Sequence, residues 1–191
     1  MSRKDLNDIL RYERNAYKAY MFPSRSRWIL SWIKKEPTRQ IWHCQYLMRK
    51  TQYYYSLKQG NRNPLVHLLY LWYISRYNRV SSRLGMDFGI TPLENVGKGL
   101  MIYHSHGVVV NGNSVIGENC RFHGNNCIGM GRPDEIGCPV IGNNVMLGVG
   151  AKVLGPVEIA DDVKIMAGAV VVSSFTEKGI TIGGIPAKKV K

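Results

Sequence analysis

The chain has 191 residues, 45% of them hydrophobic, so it is long enough for one packed domain with an appendage, and global disorder is excluded. The net charge of +13 is uneven: residues 1–86 carry 17 Lys and Arg against 4 Asp and Glu, whereas residues 87–191 carry 9 of each. No stretch reaches the roughly 18 apolar residues of a membrane-spanning helix, and the charged start MSRKDLNDILRYERNAY predicts no signal peptide.

The first part, residues 1–86, is predicted to be helical with interruptions. SRKDLNDILRYERNAYKAY has helical spacing behind an N-cap at Ser2, and RSRWILSWIKK places Trp28 and Trp32 one turn apart between basic residues. A third helix is predicted from Pro64 to Gly85, in PLVHLLYLWYISRYNRVSSRLG. Aromatic residues flanked by Lys and Arg favour an anionic membrane surface, and the alternative is a helical domain that packs on the rest of the chain. No nucleic-acid-binding motif is present, so nucleic acid is not an expected partner.

The second part, residues 87–191, repeats with a period of six. Aliphatic or aromatic residues recur at this spacing in three runs, which are Ile90, Val96, Ile102, Val108; Val110, Ile116, Phe122, Ile128; and Ile141, Leu147, Val153, Ile159, Ile165, Val171. Helices give a period of 3.6 and half-buried strands a period of 2. A period of six is typical of hexapeptide β-helices, in which three hexads close one triangular coil and the repeated residue points inward.

The register slips at two places, and loops that leave a regular solenoid often carry function. The first slip, by two residues, lies between Val108 and Val110. The second lies between Ile128 and Ile141, in GMGRPDEIGCP, which includes Arg132, Pro133, Asp134 and Cys138.

The first slip follows a pair of histidines in IYHSHGVVVNG. His104 and His106 share one side of the strand if this segment is extended. Three roles are open for such a pair: two metal ligands, a catalytic base with its neighbour, or two polar residues on a solvated edge. A zinc site needs a third ligand, and His123 is the only further histidine in this part of the chain.

The region from about Ile90 to Lys191 resembles the left-handed β-helix acyltransferases with hexapeptide repeats, and within them the serine O-acetyltransferases and polysaccharide O-acetyltransferases. The resemblance rests on VGKGLMIYHSHGVVVNGNSVIGENC, NNCIGMG, CPVIGNNVMLGVGAKVLGPVEIADDVKIMAGAVVV and IGGIPAKKVK. It implies an all-β left-handed parallel β-helix behind the α-helical segment. It also implies acetyl-CoA as co-substrate, no metal, and a homotrimer with each cleft between two subunits.

The same resemblance assigns the site residues. The histidine of the family's H-x-x-G piece corresponds to His104, which is expected to act as general base. Beside it, Tyr103 is a candidate acceptor-binding residue. From the residues alone, His106 either orients His104, contacts the sugar or lines the cleft, and Asn111 and Asn126 either place acceptor hydroxyls or are ordinary turn residues. The pantetheine arm of acetyl-CoA is expected at Gly148, Val149, Ala167 and Gly168, and its anionic end at Lys188 and Lys189.

Two departures bear on the acceptor. The serine enzymes carry an aspartate before the catalytic histidine and a second histidine before a proline, where this chain has Tyr103 and Cys138. We therefore predict transfer to a sugar hydroxyl in capsular or surface polysaccharide biosynthesis, with a sugar or lipid-linked oligosaccharide as acceptor. The alternatives are a serine O-acetyltransferase and, in another class, a non-catalytic hexapeptide scaffold that binds a partner.

The cysteines, Cys44, Cys120, Cys127 and Cys138, form no C-x-x-C pair, which favours reduced thiols over a disulfide framework. We expect a cytoplasmic protein whose basic N-terminal segment meets the inner face of the membrane.

Overall fold

A computed structural model describes residues 2–21, 24–131 and 136–190. Four helices come first: α1 (Arg3–Met21), α2 (Arg25–Ile33), α3 (Pro37–Lys58) and α4 (Pro64–Arg83). The predicted N-cap at Ser2 is present, since the Asp5 backbone N–H donates to Ser2 Oγ at 3.2 Å. Asn63 caps α4, where the Leu65 N–H donates to its side chain at 2.9 Å. Pro64 begins α4, where its missing N–H removes no helical hydrogen bond.

The remaining chain forms short strands and one 3₁₀ turn, Leu93–Asn95. The strands are β1 (Met86–Phe88), β2 (Met101–Ile102), β3 (Val108–Val110), β4 (Val115–Ile116), β5 (Arg121–Phe122), β6 (Cys127–Gly129), β7 (Val140–Ile141), β8 (Met146–Leu147), β9 (Lys152–Leu154), β10 (Glu158–Ile159), β11 (Lys164–Ile165), β12 (Val170–Val171), β13 (Thr181–Gly184) and β14 (Ala187–Lys189).

These strands form the three faces of a parallel β-helix. Face A has the order β1-β3-β6-β9-β12, face B the order β10-β7-β4, and face C the order β14-β13-β11-β8-β5-β2. Every pairing is parallel except β13 with β14. The predicted inward positions stack from coil to coil, as in the column Phe122, Leu147, Ile165 and Ile182, whose members are fully buried. The predicted hexapeptide β-helix is confirmed.

The register slips change the coil length. A regular coil has three hexads, yet Ile102 pairs with Phe122, and Ile116 pairs with Ile141. The first coil therefore has two residues more than three hexads, and they lie between Ile102 and Val110. The second lengthened segment of the chain lies before β7. One inward position differs from the sequence prediction: Phe88, not Ile90, stacks on Val110.

Side chains of the helices close the exposed end of the first coil. The open edge of a sheet presents unpaired N–H and C=O groups. On face A, the hydroxyl of Tyr77 donates to Phe88 O at 2.8 Å and accepts from Phe88 N at 3.2 Å. On face C, the hydroxyl of Tyr17 bonds in the same way to Ile102 O and N, at 3.1 and 3.0 Å.

On face B, a charged side chain closes the edge of the first coil. Arg49 donates to Val96 O at 2.7 Å and Gly97 O at 2.6 Å, and its guanidinium pairs with Glu13 at 2.5 Å. Both side chains are fully buried. The helices therefore cap the β-helix, with at least one buried polar side chain on each of its three edges.

We expect Tyr77→Phe to destabilise the fold by about 1–3 kcal/mol, because it leaves a buried N–H and a buried C=O of Phe88 without partners. Urea unfolding at fixed protein concentration measures the loss. The matched control is Tyr12→Phe, since the Tyr12 hydroxyl also bonds to the first coils, at 3.0 Å from Asn119 Oδ1, but lies on an exposed ring. Its cost should stay within about 0.5 kcal/mol. Equal losses for the two variants would contradict the capping role.

The aromatic residues proposed to contact a membrane are partly used inside the protein. Trp28 is half-buried, with the Arg39 guanidinium 4.1 Å and the Lys18 ammonium 5.2 Å from its ring centre. The side chain of Trp32 lies outside the described part of the structure. Within the described ranges, no helix is long and apolar enough to cross a membrane. Membrane-surface binding stays a prediction, and the half-buried Trp28 gives it no support.

Candidate active site

His104 stands at the corner where face C passes into face A, between β2 and β3. Its side chain is exposed, whereas those of Tyr103 and Ser105 are buried. The two extra residues of this coil fall in the same corner, so the chain bulges here instead of turning tightly. The bulge places His104 on the surface of an otherwise regular prism.

Tyr103 and His123 form an aromatic stack next to His104. Their ring centres lie 4.6 Å apart at an interplanar angle of 27°, and Tyr20 of α1 packs edge-on against Tyr103 at 4.9 Å. Burial lowers the pKa of His123, and the nearby charges of His104 and Arg121 lower it further. Burial also raises the pKa of Tyr103. Both side chains are therefore neutral near neutral pH, and the charge nearby is the cation of Arg121.

Gly124 makes room for His104. A Cβ atom at Gly124 would lie 2.8 Å from Cβ and 3.1 Å from the carbonyl oxygen of His104, which is closer than real Cβ contacts. The φ angle of Gly124 is +111°, which a side chain would also disfavour. Gly124 therefore sets the position of His104 from the coil below, a role that sequence reasoning missed, as it missed Tyr20 and His123.

We expect Gly124→Ala to lower kcat by about tenfold to a hundredfold through displacement of His104, since small misplacements of a reacting group are costly. The KM for the thioester should change far less. Gly179→Ala is the matched control, because Gly179 also has a positive φ, of +73°, but would meet no atom within 4 Å. Comparable kcat losses in the two variants, or a loss that follows Tm alone, would contradict the positioning role.

His106 is held by its neighbours in a different way. It adopts a left-handed φ of 42°, its N–H donates to Leu84 O at 2.8 Å, and its Nδ1 lies 3.1 Å from Ser105 Oγ. These bonds tie the bulge to the end of α4. The ring is exposed, and no described side chain other than Ser105 is hydrogen-bonded to it. An acceptor contact through His106 stays a prediction.

The two predicted asparagines have local structural roles. Asn126 is fully buried, accepts from Gly124 N at 2.9 Å and donates to Gly148 O at 2.8 Å. Its amide is therefore already hydrogen-bonded inside the corner, and the acceptor contact of Asn126 stays a prediction. Asn111 accepts from Asn113 N at 2.9 Å in a local turn, and it is half-buried at a different corner of the prism.

The residues predicted for the pantetheine arm lie on the same edge of the prism as His104. The corners between faces C and A follow one another coil by coil, with His104 in the first, Gly124 in the second, Gly148 and Val149 in the third, and Ala167 and Gly168 in the fourth. Gly168 N donates to Val149 O at 2.8 Å, and a Cβ at Gly148 would lie 2.5 Å from Ala167 N. This edge is a column of close-packed small residues that leads to His104.

Known proteins resemble the chain in sequence and in structure. Residues 138–173 match the family model "Bacterial transferase hexapeptide (six repeats)". The chain is 37% identical over 123 residues to a serine acetyltransferase of Helicobacter pylori, covering 62% of this chain and 72% of the relative. The chain belongs to the serine acetyltransferase family. This membership confirms the predicted hexapeptide-repeat acyltransferase.

Two further serine acetyltransferases show the extent of the likeness. That of Buchnera aphidicola is 36% identical over 132 residues, and the chain covers only 49% of its length. The structure of the Neisseria gonorrhoeae enzyme in complex with serine aligns with a TM-score of 0.66 at 26% identity, covering 97% of this chain and 69% of that one. The fold is the left-handed β-helix with an N-terminal helical part, as predicted.

The family's second histidine position is Cys138 here, and it lies away from His104. Cys138 precedes β7, at the corner where face A passes into face B, whereas His104 lies at the corner between faces C and A. One chain therefore does not bring the two together. Arg132, Pro133 and Asp134 of this loop lie outside the described residues. Cys138 is a free, half-buried thiol.

Lys188 and Lys189, the two residues expected to contact the anionic end of acetyl-CoA, differ in their ion pairing. Both lysines lie on β14, but Lys189 Nζ donates to both carboxylate oxygens of Glu177 at 2.7 Å. Its charge is therefore already paired, whereas Lys188 is exposed and has no carboxylate partner within the described ranges. We keep Lys188 as the stronger of the two predicted contacts. No cluster of three metal-ligating side chains occurs among the described residues.

Proposed function

We propose that the chain is an acetyl-CoA-dependent O-acetyltransferase with His104 as its general base. One observation carries the proposal: His104 lies in the first coil of the edge on which Gly148, Val149, Ala167 and Gly168 are stacked. Strand spacing of about 4.8 Å puts Val149 roughly 10 Å and Ala167 roughly 14 Å below the histidine. An extended pantetheine arm laid on this edge brings its thioester to the imidazole.

The chemistry needs a base and a way to return the proton. A ring nitrogen of His104 accepts the proton of the acceptor hydroxyl while its oxygen attacks the thioester carbonyl. A C–O bond forms, the C–S bond breaks, and the imidazolium gives the proton to the departing thiolate. The products are an acetyl ester and CoA. Close packing at Gly124 fixes the histidine for both transfers.

The acceptor that the comparisons favour is serine. The relatives named above are serine acetyltransferases, and one of them has been solved with serine bound. The sequence-based preference for a sugar has no support among these relatives. We therefore propose the hydroxyl of serine as the first candidate acceptor, which was the alternative prediction from sequence.

A sugar hydroxyl is the second candidate, and it rests on the wall next to His104. Serine carries an ammonium group, which a carboxylate binds well. Tyr103 replaces the family's aspartate, and its phenol is neutral and packed between His123 and Tyr20. A sugar has no ammonium group, so this wall suits it better than it suits a free amino acid.

We also propose that the complete cleft forms between subunits of a trimer. His104 and Cys138 lie at different corners of one prism, so the loop of Cys138 reaches a histidine only across an interface. A three-sided prism offers a flat face to each neighbour, and closed cyclic symmetry is common among homo-oligomers.

The proposal is tested by measuring CoA release from acetyl-CoA with a thiol reagent, and the acetylated product by mass spectrometry. Serine is compared with hexoses and nucleotide sugars at equal concentration. We expect the fastest release with serine. Release with sugars alone would replace serine by the second candidate, and release above buffer with no acceptor at all would contradict the transferase.

A further inference from the structure

A partly open cavity that the transferase reaction does not use lies between the helices. It has a volume of about 1060 Å³ and is lined by residues of all four helices and the turn after α2, with none from the β-helix. This size lies at the upper end of the range for small-molecule sites. Part of its wall is apolar or aromatic, from Leu10, Ile33, Trp42, Tyr46 and Val80.

The remaining wall is strongly basic. Six cations from separate parts of the helical domain converge on it, and they are Arg11, Arg14, Lys35, Arg39, Lys50 and Arg83. None of the described lining residues is Asp or Glu. Arg11 pairs with Asp8 at 2.6 Å on the exposed surface, but no carboxylate within the described ranges lies within salt-bridge distance of the other five. Positive charge is therefore concentrated here without neutralisation.

Arg39 shows that the site is built rather than incidental. Its guanidinium lies 4.1 Å from the ring centre of Trp28, which fixes its orientation. Its Nη1 atom is buried with no hydrogen-bond partner in the described part of the chain. Buried polar groups nearly always have partners, so this guanidinium on the cavity wall lacks one acceptor among the described residues. Anionic oxygen is the acceptor that a guanidinium binds most strongly.

The electrostatic surroundings agree with this geometry. Burial lowers the pKa of His43 on the cavity wall, and the charges of Arg76 and Arg39 lower it further. Burial likewise lowers the pKa of Lys50, with a contribution from Arg3. The cations that line the cavity carry charge of one sign, and a polyanion bound among them would reduce their mutual repulsion.

We propose that the cavity binds a soluble small molecule with two or more phosphate groups and an apolar or aromatic portion, such as a nucleotide. Several cations at fixed positions match a chain of phosphates. The side chains of Ile33 and Tyr46 offer apolar surface for the rest of the ligand. The recess is too confined for a duplex, and its basic wall comes from four elements rather than from one exposed stripe.

The proposal does not depend on the transferase activity, because every lining residue lies in the helical domain. Calorimetry with the full chain, using ATP and inorganic tripolyphosphate as probes, tests it at low and at physiological ionic strength. The test variant is Arg14→Gln/Arg83→Gln, two exposed positions on the cavity wall. The control of equal charge is Arg79→Gln/Lys164→Gln, two exposed positions outside it.

We expect both probes to bind the unmodified chain, with ATP tighter than tripolyphosphate. The wall variant should lose at least about tenfold in affinity, and the control should stay within about twofold. Serine-dependent or sugar-dependent CoA release should be the same in both variants. No binding, equal losses in both variants, or binding only to anionic phospholipid vesicles or single-stranded oligonucleotide would overturn the proposal.

Discussion

Replacement of His104 by alanine is expected to lower kcat for acetyl transfer by about 10²–10⁴-fold, the range that one positioned general base contributes. The KM for acetyl-CoA should change little, because the thioester arm is expected to rest on Gly148 and Ala167 and not on the imidazole. Single-turnover measurement of CoA release separates the chemical step from binding and product release.

Two matched variants make this result specific. His106→Ala removes the ring that contacts Ser105 but keeps the backbone N–H that bonds to Leu84 O of the α4 end, and we expect it to retain most of the activity. His67→Ala removes an exposed histidine of α4 and should change nothing. A fully active His104→Ala protein would contradict catalysis by this residue and would favour the non-catalytic scaffold. Equal losses in His104→Ala and His106→Ala would show that the bulge, and not one base, carries the activity.

The β-helix could be predicted from sequence because each hexad contacts only the coils next to it. The uninterrupted run from Ile141 to Val171 repeats every contact at a fixed separation, so the inward residues are visible as a period. The same regularity placed Gly148, Val149, Ala167 and Gly168 on one edge. Their role at the pantetheine arm came from the family resemblance and stays a prediction.

The wall beside His104 could not be predicted in this way. Tyr103 stacks on His123 because this coil is two residues longer than three hexads, which shifts the pairing. Regular coils of three hexads would place Tyr103 above Arg121 instead. The signal was present as the register slip, but the slip gives the number of extra residues and not the path that they take.

The helical cap was the least predictable feature. Composition showed a basic, aromatic segment, and this pattern favoured a membrane surface. The structure uses Tyr17, Arg49 and Tyr77 to complete the hydrogen bonds of strands tens of residues away in the chain. No local pattern marks such a partner. Aromatic and basic residues serve here because a long side chain with a polar end reaches a sheet edge from a helix.

The buried Arg49–Glu13 pair is expected to give the largest effect on stability. Arg49→Met should destabilise the fold by about 3–5 kcal/mol, because it leaves the Glu13 carboxylate buried without a counter-charge. It also removes the donors to Val96 O and Gly97 O at the end of the β-helix. Urea unfolding followed by circular dichroism at fixed protein concentration measures the loss. The exposed pair Lys98–Glu118, at 3.4 Å, provides the control, and Lys98→Met should cost no more than about 1 kcal/mol.

A double variant separates the two roles of Arg49. In Glu13→Gln/Arg49→Met both charges are gone, so the destabilisation should fall short of the sum of the single variants by about 0.5–3 kcal/mol. Strict additivity would contradict a coupled ion pair. The double variant should still be less stable than the unmodified chain, because Val96 O and Gly97 O remain without donors. Full recovery of stability would instead show that these two hydrogen bonds contribute nothing.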